Sequence, residues 1–220
     1  RPSFADILRA SRPDIVHSHF VGTTLFMRLA VPRSDRALRV FQVPGPLHLE
    51  NPLTRRVELV TAREDDFWLA SCRATRDIYR DLGIEADRVG LSYLGMDLST
   101  FAPVPPSLDN EQLGLPKSTR LVGIIAYYYK PKRWLGYRRG IKGHEDLIDA
   151  IRMLLDKGMD VAGIFAGGPW AGSEQYATEV MAYARARLGS RAILLGRVPD
   201  VRPVYASLDV AVHPSLSENV

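Results

Sequence analysis

Cysteine, lysine and long apolar runs are all scarce in this sequence of 220 residues. Cys72 is the only cysteine, which excludes a disulfide within the chain and a cysteine-based metal site. A chain that cannot form an internal disulfide fits a reducing compartment. The opening residues RPSFADILRA contain no apolar signal-peptide core. No apolar run approaches the roughly 20 residues that a membrane-spanning helix needs. We therefore expect a cytoplasmic protein.

The composition is that of an ordinary globular protein. Hydrophobic residues make up 46% of the chain and charged residues 25%, which excludes the disordered, collagen-like and coiled-coil classes. At about 100–200 residues per domain, the chain has room for one large domain or two smaller ones.

Positive charge is concentrated in one segment. The net charge is +4, whereas residues 130–142 alone carry six cationic side chains and no acid. The rest of the chain is therefore slightly acidic, which favours a confined anion site and argues against a nucleic-acid partner. Five aromatic residues accompany the cations. Peripheral contact with the inner face of a membrane is therefore an open alternative. They are Tyr127, Tyr128, Tyr129, Trp134 and Tyr137.

Short apolar runs alternate with segments of helical period along the whole chain. In the first part, this pattern predicts strands at 14–17, 38–43, 67–70 and 88–92, and helices at 4–10, 23–30, 53–63 and 73–82. In the second part, it predicts strands at 121–126, 161–166, 192–195 and 209–213, and helices at 144–156, 174–188 and 201–208. Such alternation is typical of parallel sheets that are covered by helices on both faces.

A proline-rich stretch separates the two parts, because four prolines between positions 103 and 116 interrupt the pattern. We predict one domain at 1–98, a linker at 99–118 and a second domain at 119–220. The predicted class is α/β, with two Rossmann-like parallel-sheet domains facing a cleft that is lined by the carboxyl ends of the strands. About four strands in each part are few for such a domain, so we expect both to be truncated and the chain to be a fragment.

Four segments near predicted strand ends carry residues that can bind a ligand or take part in a reaction. Residues 139–147, RGIKGHEDL, form a basic loop that enters a helix, where cations and free backbone N–H groups suit a diphosphate; a solvated surface loop is the alternative. The glycine pair in AGGPW (166–170) and the segment LGRVPD (195–200) fit either a ligand crevice or a tight turn. In HPSLSENV (213–220), Glu218 can accept hydrogen bonds from sugar hydroxyls or simply favour a helix start.

Taken in this order, these segments resemble the donor half of a GT-B glycosyltransferase of family 4, the retaining and metal-independent group. The first part agrees, because PDIVHSHF and DDFWLASCRATRDIYRDLGIEADRVGLSYLGMDLSTFAP resemble the acceptor domain of that family and its exit. The resemblance covers nearly the whole chain. It implies transfer of a sugar from a nucleotide diphosphate sugar to a hydroxyl acceptor, which in this family is often lipid-linked.

The resemblance assigns the phosphate contacts to the basic loop. Lys142 matches the lysine that binds the donor diphosphate. The family's partner arginine usually follows the first strand of this domain, where this chain has an expanded loop. We therefore prefer Arg139, and Arg138, Arg133 and Lys132 stay open as alternatives.

Further donor contacts are expected at the strand ends. Glu218 matches the first carboxylate of the family's E-x7-E pattern, which contacts the donor sugar. Gly168 and Val198 lie where the family lines the donor pocket, with Val198 near the base through its main chain. The resemblance implies no metal and no cofactor, and UDP- or GDP-sugar as the expected substrate.

On the acceptor side, the resemblance points to three histidines. His17 and His19 match the family's H-x-H segment, and their spacing within a strand predicts that both face the same side; a packed structural histidine is the alternative. His48 lies near the position where family members present a histidine to the cleft. With Lys142 and Glu218, it completes the predicted catalytic set.

Two other functions stay open at the level of the sequence. A non-catalytic nucleotide- or phosphate-binding module would use the same basic loop. A GT-B sugar-nucleotide epimerase would break down a nucleotide sugar without an acceptor sugar. The sequence does not determine the oligomeric state.

Overall fold

The computed structural model describes residues 3–31, 37–43, 45–133 and 136–218. The chain divides into two compact units, one formed by residues 1–95 with 217–220 and the other by residues 96–216. Each unit contains its own parallel sheet and its own hydrophobic core.

The first unit is a four-stranded parallel sheet in the order β1-β2-β3-β4 with helices between the strands. Its elements are α1 (Phe4–Ser11), β1 (Ile15–His19), α2 (Val21–Ala30), β2 (Leu38–Val43), α3 (Leu47–Glu50), α4 (Pro52–Thr61), β3 (Asp66–Ala70), α5 (Arg73–Asp81) and β4 (Val89–Leu91). Phe41 and Trp68, both fully buried, pack edge to face at 6.0 Å in its core.

Local sequence explains where the helices of the first unit begin. The Ser3 side chain caps α1 and exchanges hydrogen bonds with Asp6, which satisfies two otherwise unpaired backbone N–H groups. Asn51 accepts from the N–H groups of Leu53 and Thr54 at the start of α4. The buried Cys72 caps α5 through its sulfur, so the only cysteine has a structural role.

The second unit is also a four-stranded parallel sheet, in the order β7-β6-β5-β8. Its elements are β5 (Arg120–Ile125), α6 (His144–Asp156), β6 (Val161–Ala166), α7 (Glu174–Leu188), β7 (Ala192–Gly196), α8 (Arg202–Ser207) and β8 (Val210–Ala211). Every residue of β6 is buried, as expected for a strand covered on both faces. One core cluster gathers residues of α6 and α7, and another gathers residues around Val204 of α8.

The proline-rich stretch that we predicted as a linker packs within the second unit. Leu115 is buried in the core cluster that contains Val204, and Leu108 and Leu113 pack against the same cluster. The main-chain N–H groups of Ser107 and Leu108 both donate to the Ser207 hydroxyl at 3.0 Å. The division between the units therefore falls after residue 95, ahead of this stretch.

The predicted α/β class is confirmed, because both sheets are parallel and their strands alternate with helices. The strands and longer helices lie within a few residues of their predicted positions. The short helix α3 was not predicted, since the segment that precedes it contains two prolines. Among the helices in the described part of the chain, none is long and apolar enough to cross a membrane.

Candidate functional site

The loop that enters α6 is held by close backbone contacts that require glycine. Gly143 caps α6 with a φ of 72°, a left-handed conformation that favours glycine, and a Cβ there would lie 2.2 Å from the carbonyl oxygen of Pro214. The N–H group of Gly140 donates to the Tyr176 hydroxyl at 3.0 Å. A Cβ on Gly140 would lie 2.1 Å from the oxygen atom of the same hydroxyl. This geometry fixes the path of the chain on both sides of Lys142.

Lys142 lies in this loop, directly before the capping residue of α6. Its side chain is half-buried, and Nζ lies 6.0 Å from the ring centroid of Tyr129. The first N–H groups of a helix carry a partial positive charge. A phosphate group beside Lys142 would therefore meet both a full and a partial positive charge. The role of Lys142 in binding a diphosphate stays a prediction.

His144 is the first residue of α6 and is 1% exposed. Its ring stacks on Tyr128 with a centroid separation of 4.2 Å and an interplanar angle of 22°. Burial lowers the pKa of His144 from its ordinary value of 6.5 to about 4, the nearby Lys142 lowers it further, and the Ala126 backbone opposes both. His144 is therefore a neutral packing residue at neutral pH, which the sequence analysis did not identify.

Arg139, the predicted arginine partner of Lys142, is engaged by two carboxylates of α6. Its guanidinium donates to Asp146 at 2.6 Å and to Asp149 at 2.7 Å, and these bonds raise its pKa. Both acids lie one helical turn apart, so a single guanidinium can bridge them. Its charge is thus compensated within the unit, and these contacts join Arg139 to α6. Its role toward a donor phosphate stays a prediction.

Arg133 and Arg138, the alternative residues for binding phosphate, line a groove beside α7. The groove has a volume of about 710 Å³ and is also lined by Lys130, Tyr176 and Glu179. In the described ranges, no carboxylate pairs with Lys130, Arg133 or Arg138. Lys132 is exposed and does not line this groove.

A smaller crevice of about 270 Å³ lies at the carboxyl ends of β5, β6 and β7. It contains two of the predicted donor-binding residues, Gly168 after β6 and Val198 after β7. Tyr127 and Arg197 also line it. Because ligands of parallel α/β sheets bind outside the carboxyl ends of the strands, this crevice lies where the sequence analysis expects a nucleotide. Arg197 belongs to the LGRVPD segment, and no pattern in the sequence indicates a role for its side chain.

The segments that follow β5 and β6 continue the pairing of these two strands. The Tyr128 N–H donates to the carbonyl of Gly168, and the Trp170 N–H donates to the carbonyl of Tyr128, both at 3.0 Å. Gly167 adopts a φ of 140°, and a Cβ there would lie 1.9 Å from the Ala126 carbonyl oxygen. Because the two backbones approach this closely, only glycine fits at the first position of the glycine pair in AGGPW.

Glu218, the predicted sugar-binding carboxylate, belongs to the segment that groups with the first unit. It is half-buried, and the preceding Ser217 donates its hydroxyl to Glu50 at 2.8 Å. Its role toward a donor sugar stays a prediction.

His17 and His19 lie on the same side of β1, which confirms the predicted orientation. Both are exposed, and their ring centroids are 4.4 Å apart. Partial burial and the neighbouring His19 lower the pKa of His17, and a side-chain hydrogen bond with Gln42 opposes them. The pair stands at the carboxyl end of β1, followed by Phe20, which is exposed and adopts a positive φ of 66°.

His48, the third residue of the predicted catalytic set, is buried in the first unit, and its catalytic role stays a prediction. His48 lies in α3 and is 8% exposed, and its Nε2 atom pairs with the carboxylate of Glu58. Glu58 is itself 1% exposed and accepts from Trp68 at 3.0 Å and from Tyr79 at 2.9 Å. Because α3 turns the segment after Pro46 inward, His48 joins a hydrogen-bonded cluster in the core of the first unit.

No group of three or more histidine, cysteine, aspartate and glutamate side chains is arranged to hold a metal ion in the ranges that the structure describes.

Two family models match the chain. The model for Glycosyltransferase Family 4 matches residues 1–100, and the model for Glycosyl transferases group 1 matches residues 134–220. No curated protein sequence matches the chain.

Several solved structures share the fold. HepE from Anabaena in complex with UDP is 22% identical, with a TM-score of 0.72 over 96% of this chain and 56% of that chain. Its complex with UDP and glucose is 21% identical, with a TM-score of 0.73 over 98% of this chain and 59% of that chain. Sucrose-phosphate synthase from Thermosynechococcus elongatus is 16% identical, with a TM-score of 0.72 over 99% of this chain and 55% of that chain. The chain therefore spans less than two thirds of these structures, and the likeness establishes the fold alone.

Proposed function

Because this chain belongs to the group 1, family 4 glycosyltransferases of the GT-B fold, we propose that the protein transfers a sugar from a nucleotide diphosphate sugar to a hydroxyl acceptor. The proposed reaction retains the anomeric configuration of the donor sugar. We propose a UDP- or GDP-sugar as the donor, and the HepE complexes with UDP and UDP-glucose support a nucleotide sugar in this fold.

The observation that carries this proposal is the crevice at the ends of β5, β6 and β7. It brings together Gly168 and Val198, which lie 30 positions apart in the sequence. Glycine at 168 leaves room for a ligand, and Val198 lines the same space. We therefore place the nucleoside part of the donor in this crevice.

In the proposed mechanism, catalysis depends mainly on stabilising the leaving group. The bond between the anomeric carbon and the donor phosphate oxygen breaks, and Lys142 and the start of α6 stabilise the negative charge that develops on the diphosphate. The acceptor hydroxyl attacks from the same face and passes its proton to a donor phosphate oxygen. Glu218 orients the donor sugar. This scheme requires no metal ion.

The acceptor would approach the exposed histidines at the end of β1. His17 and His19 offer ring nitrogens that can hydrogen-bond to an acceptor hydroxyl. We propose a lipid-linked acceptor, which would bring a cytoplasmic protein into peripheral contact with the inner face of the membrane.

The role of Lys142 is tested by its replacement. We expect Lys142→Ala to weaken the binding of UDP and GDP at least tenfold, because a charge-assisted hydrogen bond to phosphate contributes about 1.5–3 kcal/mol. Titration calorimetry on the purified chain measures both affinities. Lys157→Ala removes an exposed lysine from the other end of the same helix and is the matched control.

Comparison with the nucleoside separates phosphate binding from damage to the fold. Uridine carries no phosphate, so its affinity should not change in Lys142→Ala. Equal affinity of the unaltered and Lys142→Ala chains for UDP and GDP would contradict the assignment. Nucleotide binding without sugar transfer to any hydroxyl acceptor would instead favour a non-catalytic binding module.

A further inference from the structure

Among the described residues that line the 270 Å³ crevice, Arg197 is the only charged one. It follows β7 directly, and its side chain is exposed. No carboxylate pairs with it in the part of the chain that the structure describes. A cation without a paired anion at the rim of a cavity is available to a ligand.

An aromatic stack holds the Arg197 side chain at the crevice. Its guanidinium carbon lies 5.5 Å from the ring centroid of Tyr127, within the range of a cation–π contact. Tyr127 packs edge to face on Trp170 at 5.3 Å, and Trp170 stacks on Tyr129 at 5.2 Å. The backbone bridge between Tyr128 and Pro169 brings the segments that carry these rings side by side. The guanidinium of Arg197 therefore contacts an aromatic cluster at the crevice.

The other walls of the crevice are unsuited to a phosphate group. Ile125, Ala126, Val198 and Val201 supply apolar surface, and Tyr205 adds an aromatic ring. Apolar walls favour a flat heteroaromatic ring and raise the cost of removing water from a phosphate. The volume is also below the range of about 300–1,000 Å³ that accommodates an entire drug-sized ligand. The crevice therefore suits one part of a nucleotide sugar, its base.

The glycine after β6 keeps the space beside Arg197 open. A Cβ on Gly168 would approach Nε of Arg197 to 3.4 Å and its Cβ to 3.5 Å. Any side chain larger than a methyl group at 168 would therefore occupy the volume next to the guanidinium.

The chemistry of arginine discriminates between nucleobases. A guanidinium has five N–H donors and no acceptor. Uracil and guanine present carbonyl oxygens that accept such hydrogen bonds, and guanine adds a ring nitrogen for a bidentate contact. Adenine has no carbonyl group, and its exocyclic amino group is a donor that would face the donors of the guanidinium.

We propose that Arg197 is a specificity-determining residue that selects a donor with a carbonyl-bearing base, uracil or guanine, over one with adenine. This inference rests on the proposed function, because it assumes that a nucleotide occupies the crevice. Arg197 contacts the base, and the diphosphate is bound by Lys142.

The test compares the affinities of UDP, GDP, ADP and uridine for four forms of the chain by titration calorimetry. The forms are the unaltered chain, Arg197→Ala, Arg197→Lys and Arg185→Ala, an exposed arginine of α7 that lines neither cavity. We expect the unaltered chain to prefer UDP or GDP over ADP by about tenfold or more, which is the usual discrimination of a good arginine–base contact. Arg197→Ala should lose most of this preference and should weaken uridine binding to a similar degree.

Arg197→Lys separates recognition of the base from charge alone, since lysine keeps the charge and loses the planar fork. We expect this variant to resemble Arg197→Ala in its base preference. The inference is overturned if Arg197→Ala weakens UDP, GDP and ADP equally, leaves uridine unchanged and is rescued by lysine, because Arg197 would then bind phosphate. The inference is also overturned if Arg197→Ala keeps the preference of the unaltered chain for UDP or GDP over ADP. Failure of the unaltered chain to bind any nucleotide would instead refute the proposed function.

Discussion

Arg139 and Lys142 are three residues apart in one basic loop, and the structure uses their charges differently. Arg139 is bonded to Asp146 and Asp149, whereas Lys142 stands beside the ring of Tyr129 at the entrance of α6. A guanidinium that already bridges two carboxylates would have to exchange them for a phosphate. At the scale of single residues, the local density of positive charge therefore overstates how many cations can bind a ligand.

Gly143 provides a test of the backbone geometry beside Lys142. We expect Gly143→Ala to destabilise the second unit by roughly 1–2 kcal/mol through left-handed strain, and by more because the new Cβ would collide with the Pro214 carbonyl. Gly158→Ala is the matched control, since Gly158 has a φ of 78° with nothing within 4 Å. Urea denaturation measures the free energy of unfolding of both variants. Equal losses would show that the Pro214 carbonyl does not hinder a Cβ at position 143.

At the scale of elements, the start of α6 is joined to the segment after β5 by the stacked rings of His144 and Tyr128. Burial of His144 disfavours its protonated form, so its folded pKa of about 4 lies below the ordinary value of 6.5. An unfolded chain binds this proton more readily than the folded one. The stabilisation is thus fully present above pH 6.5 and is lost as the pH falls toward about 4.

We expect the free energy of unfolding of the second unit to decrease by roughly 2 kcal/mol between pH 7 and pH 5, as this pKa difference requires. His144→Phe keeps a ring for stacking on Tyr128 and removes the titrating group, so its stability should change much less over the same interval. Urea denaturation of both chains at the two pH values measures the difference. An equal pH dependence in the two chains would exclude His144 as its source.

At the scale of the whole molecule, the described residues form separate cores in the two units. One core contains Phe41 and Trp68 in the first unit, and another contains Ile148 and Ile151 in the second. Each sheet is hydrogen-bonded only within its own unit among the described strands. Stability is therefore expected to be distributed over two cooperative units.

Ile151→Ala tests this distribution. Ile151 is fully buried, and its truncation should destabilise the second unit by about 2–5 kcal/mol. Hydrogen exchange followed by mass spectrometry should show lost protection in residues 96–216 and unchanged protection in the first unit. Phe41→Ala, also at a fully buried position, should give the opposite pattern. Loss of protection throughout the chain in either variant would show that the units unfold together.

Much of this architecture could be predicted from the sequence because its causes are local. Apolar runs of strand length, helical periodicity and breaking residues depend on neighbours within a few positions, and they located the strands and longer helices of both sheets. Alternation of strands and helices then predicted parallel sheets, whose carboxyl ends form one edge. The resemblance implied that Gly168 and Val198 line the donor pocket, and both line one crevice at this edge.

The sequence by itself therefore determined the fold class, the order of the elements and the edge of each sheet at which the strands end. Only the tertiary structure decided which polar residues are available there. His48 is buried because Glu58 and Tyr79 meet it from α4 and α5, and Arg197 reaches the crevice because Tyr127 lies across the sheet from it. Such partners are distant in the chain, and no local pattern of residues determines which side chains will meet.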